Sequence, residues 1–149
     1  TAPKHYILRT SWVIGEGNNF VRTMASLAER GIAPKVVSDQ IGRLTFTTDL
    51  ARAIRHLVES KAPYGTYNVT GSGEPASWAD IATVVYAAVG ADPASVTPVT
   101  TEEYFAGSDK LISPRPAHST LDLAKVKATG LELRDWREGL AGYLDHGLA

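Results

Sequence analysis

The sequence predicts an α/β fold, and three observations predict it. Short runs rich in Ile, Leu, Val and aromatic residues alternate with stretches of helical periodicity. Glycines close several of these stretches. The chain of 149 residues, 44% hydrophobic, is large and apolar enough for one core. Strands separated by helices imply parallel pairing somewhere in the fold.

In chain order, residues 5–13 read as a strand. Asn18 or Asn19 then caps a helix with Phe20, Met24, Leu27 and Ala28 on one face, and Gly31 ends it. Residues 35–38 and 43–47 are short strands. Residues 49–60 form a second amphipathic helix with Leu50, Ile54, Leu57 and Val58 inward. Residues 65–70 are a strand closed by the turn Gly71-Ser72-Gly73. The Ser77-Trp78-Ala79-Asp80 run is a capping box, opening a third helix that turns Ile81, Val85, Ala88 and Val89 inward. Residues 96–99 suit a strand, and residues 101–116 read mostly as loop, with Glu102-Glu103 resembling a helix start. Two short helices follow, 122–129 stopped by Gly130, and 135–144 burying Trp136, Leu140, Tyr143 and Leu144. A core strand that opens almost at the first residue is expected of a fragment of a longer polypeptide.

Composition excludes several function classes. Fifteen Lys and Arg against 16 Asp and Glu leave no basic excess for a nucleic-acid backbone. With no cysteine there is no disulfide, thiolate nucleophile or cysteine metal site, which fits a cytoplasmic protein. No apolar run is long enough to span a bilayer, so no membrane partner is expected. His5, His56, His118 and His146 lack metal-ligand spacing. His56 falls on the polar side of its helix, and His118 follows the loop of Arg115.

Gly15-Glu16-Gly17-Asn18-Asn19-Phe20 has the strand–loop–helix context of a dinucleotide fingerprint, but Phe20 occupies the place of the third glycine. It reads as a loop and helix cap. Arg115 lies between Pro114 and Pro116, and a stiff loop presenting one guanidinium suits bidentate phosphate binding, or is simply a solvated surface arginine. Trp12 ends the first strand before a glycine loop, where an aromatic ring can stack on a sugar or base, or belong to the core. The strand alternation places it on one face with Leu8 and Thr10. In Asp39-Gln40-Ile41-Gly42, the Gln40 amide can bond a nucleotide, or the segment is ordinary turn chemistry.

Taken in order, Arg9-Thr10-Ser11-Trp12-Val13, Gly17-Asn18-Asn19-Phe20, Asp39-Gln40-Ile41-Gly42, Thr48-Asp49-Leu50-Ala51, Gly65-Thr66-Tyr67-Asn68, Ser77-Trp78 and the run Arg115-Pro116 to Ser119, Leu121 and Asp122 resemble the C-terminal half of the extended short-chain dehydrogenase/reductases. Within them the series is most similar to the dTDP-4-dehydrorhamnose reductases. The resemblance implies that residues 1–149 form a single substrate-binding domain or fragment, without the N-terminal dinucleotide-binding half. It implies that Trp12 contacts the sugar, Asn19 lies near the diphosphate, Gln40 borders the nucleotide and Arg115 holds the diphosphate. It implies a dTDP-sugar substrate whose 4-keto group the full-length protein reduces with NADPH or NADH. This chain alone is expected to bind no cofactor and to be inactive. The family's Tyr-x-x-x-Lys pair, whose tyrosine donates the proton, has no match here, since no tyrosine is followed by lysine four residues on. The expected partner is the missing Rossmann half, with a homodimer also possible. Where the family shows Pro-Thr after the Asp-Gln-x-Gly turn, this chain has Leu44-Thr45. Two other readings fit similar motifs: the non-catalytic regulatory subunit of a methionine adenosyltransferase, and another nucleotide-sugar epimerase or dehydratase.

Overall fold

The strand expected over residues 5–13 is two strands, and the residue that divides them is Trp12. In the computed structural model, which describes residues 3–107 and 113–147, Trp12 has φ of 49°. That left-handed conformation costs an L-residue about 1–2 kcal/mol and cannot continue a strand. The chain therefore leaves β1 (Tyr6–Arg9) and re-enters extended structure as β2 (Val13–Ile14) in a different strand pair. The alternation that put Trp12 on a face with Leu8 and Thr10 is broken at this point.

Among the described residues the strands pair in twos. β1 lies parallel to β6 (Gly65–Asn68), with Tyr6 opposite Gly65 and Arg9 opposite Asn68. β2 lies parallel to β5 (Thr45–Phe46), and β3 (Lys35–Val37) parallel to β8 (Thr97–Val99). β4 (Ile41–Gly42) runs antiparallel to β7 (Ala76–Ser77). The parallel pairing expected from the alternation of strands and helices is present. His5 and Arg9 carbonyls accept from Gly65 and Val69 N–H, so the main-chain groups of Tyr6, Leu8 and Thr10 face the opposite edge of β1.

Helix α1 (Phe20–Glu29) starts at Asn19, whose side chain accepts from the Arg22 N–H. Helix α3 (Trp78–Ala88) opens with the expected capping box of Ser77 and Asp80, though Ala88 at its end is exposed. Helix α2 (Thr47–Glu59) begins earlier than the sequence suggests, and of the expected inward residues Leu57 is buried and Leu50 packs against the same apolar cluster. Asp49, Ala53 and Leu57 are buried, while Ile54 and Val58 are 51% and 58% exposed. A 3.6-residue period leaves two adjacent stripes open to this helix, and an ion pair decides between them. The Asp49 carboxylate meets Arg134 and Arg52, each at 3.0 Å, so a charged residue occupies the inward row. His56 is half-buried rather than solvated, its Nε2 lying 3.1 Å from the Thr129 carbonyl.

The expected loop at 101–116 holds a short helix, α4 (Thr101–Phe105); residues 108–112 of that loop lie outside the described residues. Helix α5 (Ala124–Lys127) is one turn, with Asp122 accepting from the Ala124 N–H. Helix α6 (Trp136–Gly147) closes the chain.

Two apolar clusters result. One gathers Ile14, Val21, Leu44, Phe46, Ile81 and Trp136 between α1, α3 and α6. The other gathers Leu57, Tyr67, Val69, Leu123, Val126 and Leu131 around the β1–β6 pair. Leu44, where the family's proline would stand, is fully buried in the first. Gly71 joins that core to the last helix. Its N–H donates to the Leu44 carbonyl at 3.1 Å, and an added Cβ would run into that same oxygen and lie 3.0 Å from Trp136 Cβ. The backbone oxygen cannot step aside as a side-chain tip can. Gly71→Ala is therefore expected to lower stability by about 1–3 kcal/mol, the usual cost of overpacking, read as a fall in the urea midpoint at unchanged slope.

Candidate functional site

The link from β3 to β4 carries Asp39 and Gln40, and both are tied to the start of α4. The Asp39 carboxylate accepts the Thr101 N–H at 3.0 and 2.9 Å and the Thr101 hydroxyl at 2.6 Å. Gln40 Nε2 donates to Thr101 Oγ1 at 3.1 Å. A second capping box, Thr100 with Glu103, completes the turn. These bonds hold α4 so that Tyr104 and Phe105, edge to face at 5.0 Å, close one side of a cleft of about 550 Å³. Phe20 and Met24 of α1, Lys35 of β3 and Trp78 of α3 form other parts of its wall.

Gln40 and Arg115 both line this cleft. The reason lies in the backbone after Pro116. Ile41 N–H donates to the Ala117 carbonyl at 2.8 Å, and Ser119 N–H donates to the Ile41 carbonyl at 2.7 Å. Residues 117–119 are thus stitched alongside β4, with a bridge between Ile41 and His118. The Ser11 hydroxyl adds a bond to the Ser119 carbonyl. Arg115, two residues before Ala117, is delivered to the cleft mouth, where it is exposed. With Lys35 it gives the cleft two cations, a favourable setting for an anion.

Trp12 and Asn19 are not among the residues lining the cleft. Trp12 stands one ring away: its indole stacks on Trp78 at 3.8 Å and 20°, and Phe20 tilts against the same Trp78 at 4.6 Å. Its other face lies against Gly42, where an added Cβ would come within 2.8 Å of the indole. Asn19 is engaged on all sides. Its Nδ2 hydrogens meet the Gly15 and Gly17 carbonyls and the Tyr143 hydroxyl at 2.9, 3.2 and 2.8 Å, while its oxygen caps α1.

Against that geometry stand the similarities to known proteins. The model of the RmlD substrate binding domain matches residues 1–148. The chain belongs to this family. Spore coat polysaccharide biosynthesis protein SpsK of Bacillus subtilis is 45% identical over 139 residues, which are 93% of this chain and 46% of SpsK. The dTDP-4-dehydrorhamnose reductase of Aggregatibacter actinomycetemcomitans is 38% identical over 152 residues, 93% of this chain and 49% of that protein. The crystal structure of the dTDP-4-dehydrorhamnose reductase of Bacillus anthracis, a complex with NADP, superimposes with a TM-score of 0.82 at 35% identity, covering 94% of this chain and 48% of that one. The chain thus spans about half the length of the relatives it matches, and its architecture is that of the C-terminal portion of the extended short-chain dehydrogenase/reductase fold.

The RmlD-family cleft contains residues that the sequence reading passed over. Trp78, at the start of α3, packs against the first apolar cluster and is also wall and stacking partner. Tyr104 and Phe105 fell within an expected loop. The pattern Thr100-x-x-Glu103 directly before two aromatic residues was the signal that marks a capped helix there. The loop from Gly15 to Gly17 does not fit a dinucleotide: Asn19 fills the helix cap from within, and Phe20 packs on Trp78 where a close glycine would be needed. Among the described residues no group of three or more His, Asp or Glu side chains could hold a metal ion, and no helix is long and apolar enough to cross a membrane.

The carboxylates that hold α4 carry a pH signature. Hydrogen bonds from the Thr101 side chain and backbone hold the Asp39 pKa below its ordinary value of 3.8. Bonds from the Thr100 backbone and hydroxyl lower that of Glu103 below 4.5. A carboxylate whose native pKa is depressed stabilises the fold above its unfolded pKa, and that contribution disappears as pH falls through the native value. The α4 attachment is therefore expected intact at neutral pH and lost in acid, below 3.8 for Asp39. In an NMR titration the Thr101 amide should move with that transition, and Asp39→Asn should abolish it.

Proposed function

We propose that this chain is the nucleotide-sugar-binding part of a dTDP-4-dehydrorhamnose reductase, a whole protein of the cytoplasm that reduces the 4-keto group of dTDP-4-dehydro-L-rhamnose at the expense of NADPH or NADH. The observation that carries the reading is the convergence of Gln40, Arg115, Lys35 and four aromatic rings on one cleft of about 550 Å³. That volume is in the range of small-molecule sites. The names of the relatives, and NADP in the B. anthracis structure, support the same substrate and cofactor class.

Each residue has a part in this proposal. Arg115 forks onto the diphosphate, which a planar guanidinium suits better than an ammonium point charge. Gln40 meets the base, beside the Tyr104–Phe105 pair. Trp12, stacked on Trp78, sets the wall toward the sugar and contacts it when the rest of the whole protein closes the site. Asn19 fixes the Gly15–Gly17 loop next to Trp12, so its place near the diphosphate is that of a support. Proton donation and the cofactor cradle fall to the other half of the whole protein, the partner this chain requires; residues 1–149 form its single substrate-binding domain and are inactive alone.

Calorimetric titration of this chain with dTDP tests the reading. Saturable binding is expected, with NMR shifts at Gln40, Trp78, Tyr104 and Arg115. Arg115→Ala should weaken it by about 1.5–3 kcal/mol, the scale of a hydrogen bond to a charged group, and Arg115→Lys should restore little of that. An alanine variant that binds dTDP as well as the parent chain makes Arg115 a plain surface arginine. Absence of any dTDP binding removes the nucleotide reading altogether.

A further inference from the structure

A glutamine amide is ambiguous in shape. Its oxygen and nitrogen are nearly the same size, and a half-turn exchanges an acceptor for two donors. At Gln40 two neighbouring residues remove the ambiguity. The Asp39 carboxylate can only accept, and it takes both the N–H and the hydroxyl of Thr101, the latter at 2.6 Å. The single hydroxyl hydrogen of Thr101 is thereby committed to Asp39. What Thr101 Oγ1 offers its other neighbour is a lone pair. The Gln40 atom 3.1 Å from it must carry a hydrogen and is the nitrogen. The carbonyl oxygen is then the end of the amide turned away from Thr101, on a residue that lines the cleft.

We propose that Asp39 and Thr101 are positioning residues that lock Gln40 with its carbonyl oxygen toward the ligand, so that the cleft selects a pyrimidine presenting a ring N–H, as thymine and uracil do, over cytosine. The inference rests on the nucleotide reading above and adds to it the source of base selectivity. The imide N–H of uracil or thymine donates to the Gln40 oxygen. Cytosine brings a bare ring nitrogen to the same place, so two acceptors face each other and a polar atom of each is left unmatched. An amide free to turn over would serve either base. The carboxylate–hydroxyl–amide relay forbids the turn.

The probes are dUDP and dCDP, which differ only along the base edge, titrated calorimetrically into this chain. The parent chain is expected to bind dUDP about tenfold tighter than dCDP, the effect of about one hydrogen bond. Thr101→Val keeps the backbone bond to Asp39 but removes the hydroxyl; the preference should shrink to within about threefold. Thr101→Ser restores the hydroxyl and should restore the preference. Asp39→Asn allows the relay to run in reverse, with the new amide donating to Thr101, and should also erode it without touching the cleft wall. Equal affinity of the parent chain for both nucleotides overturns the proposal while leaving the nucleotide reading standing. So does a full preference retained by the Thr101→Val and Asp39→Asn variants. Binding of neither nucleotide overturns both, and is told apart by the absence of heat with dTDP as well.

Discussion

The turn at Trp12 is the constraint on which the other layers depend. A left-handed tryptophan is unfavourable by about 1–2 kcal/mol, and it persists because β4, β5 and α3 close around it. Thr45 N–H donates to the Trp12 carbonyl, and the Thr45 hydroxyl donates to the carbonyl of Ser11 at 2.7 Å. Gly42 leaves the space that the indole fills, and Trp78 stacks on its other face. An aromatic stack contributes about 0.5–1.5 kcal/mol beyond burial, and each hydrogen bond about as much, so the strain is offset locally. The β1–β6 pair, the β2–β5 pair and β4, the strand that follows Gln40, meet at this one residue. Position in the cleft is thus set by sterics upstream of any ligand.

The Asp49–Arg134 pair plays the corresponding part for α2. Asp49 lies on the inward row of the helix, and Arg134 reaches it from the segment just before α6. A buried carboxylate without a partner would be costly. Here the pair orients the helix about its axis and ties the second apolar cluster to the chain's last element. Among the described residues the buried Nε of Arg134 has no hydrogen-bond partner, and the pair with Asp49 is made through Nη2, one end of the guanidinium.

Much of the fold was legible because the signals were local. Capping residues, glycine stops and hydrophobic periods marked α1 and α3, and the alternation of strand and helix implied parallel pairs. What escaped was set by distant contacts. Nothing near Trp12 in sequence announces a positive φ; that conformation comes from Gly42, Thr45 and Trp78. The inward stripe of α2 depends on Arg134, 85 residues away. At the site, Gln40 and Arg115 were found as candidates from turn and proline patterns, and the pairing of Ile41 with residues 117–119 brings them together. Asn19 was singled out correctly as a cap, and the same bonds that make it one occupy its amide. Thr101 was missed because its importance is a matter of hydrogen direction, which a sequence does not display.

The outer edge of β1 has a consequence of its own. Main-chain groups of Tyr6, Leu8 and Thr10 face outward there, and Ile7 is 48% exposed beside them, a combination that makes an edge a template for strand addition. Lys4 and Arg9 flank it, both exposed. A second copy of this edge carries the same two cations, so positive charge on both edges opposes self-pairing while leaving the edge open to a strand without it. That protection is electrostatic at an exposed surface and weakens over a Debye length of about 10 Å at 0.1 M salt. Pairing of this edge with a second copy is therefore opposed most strongly in dilute buffer, where its charges are least screened.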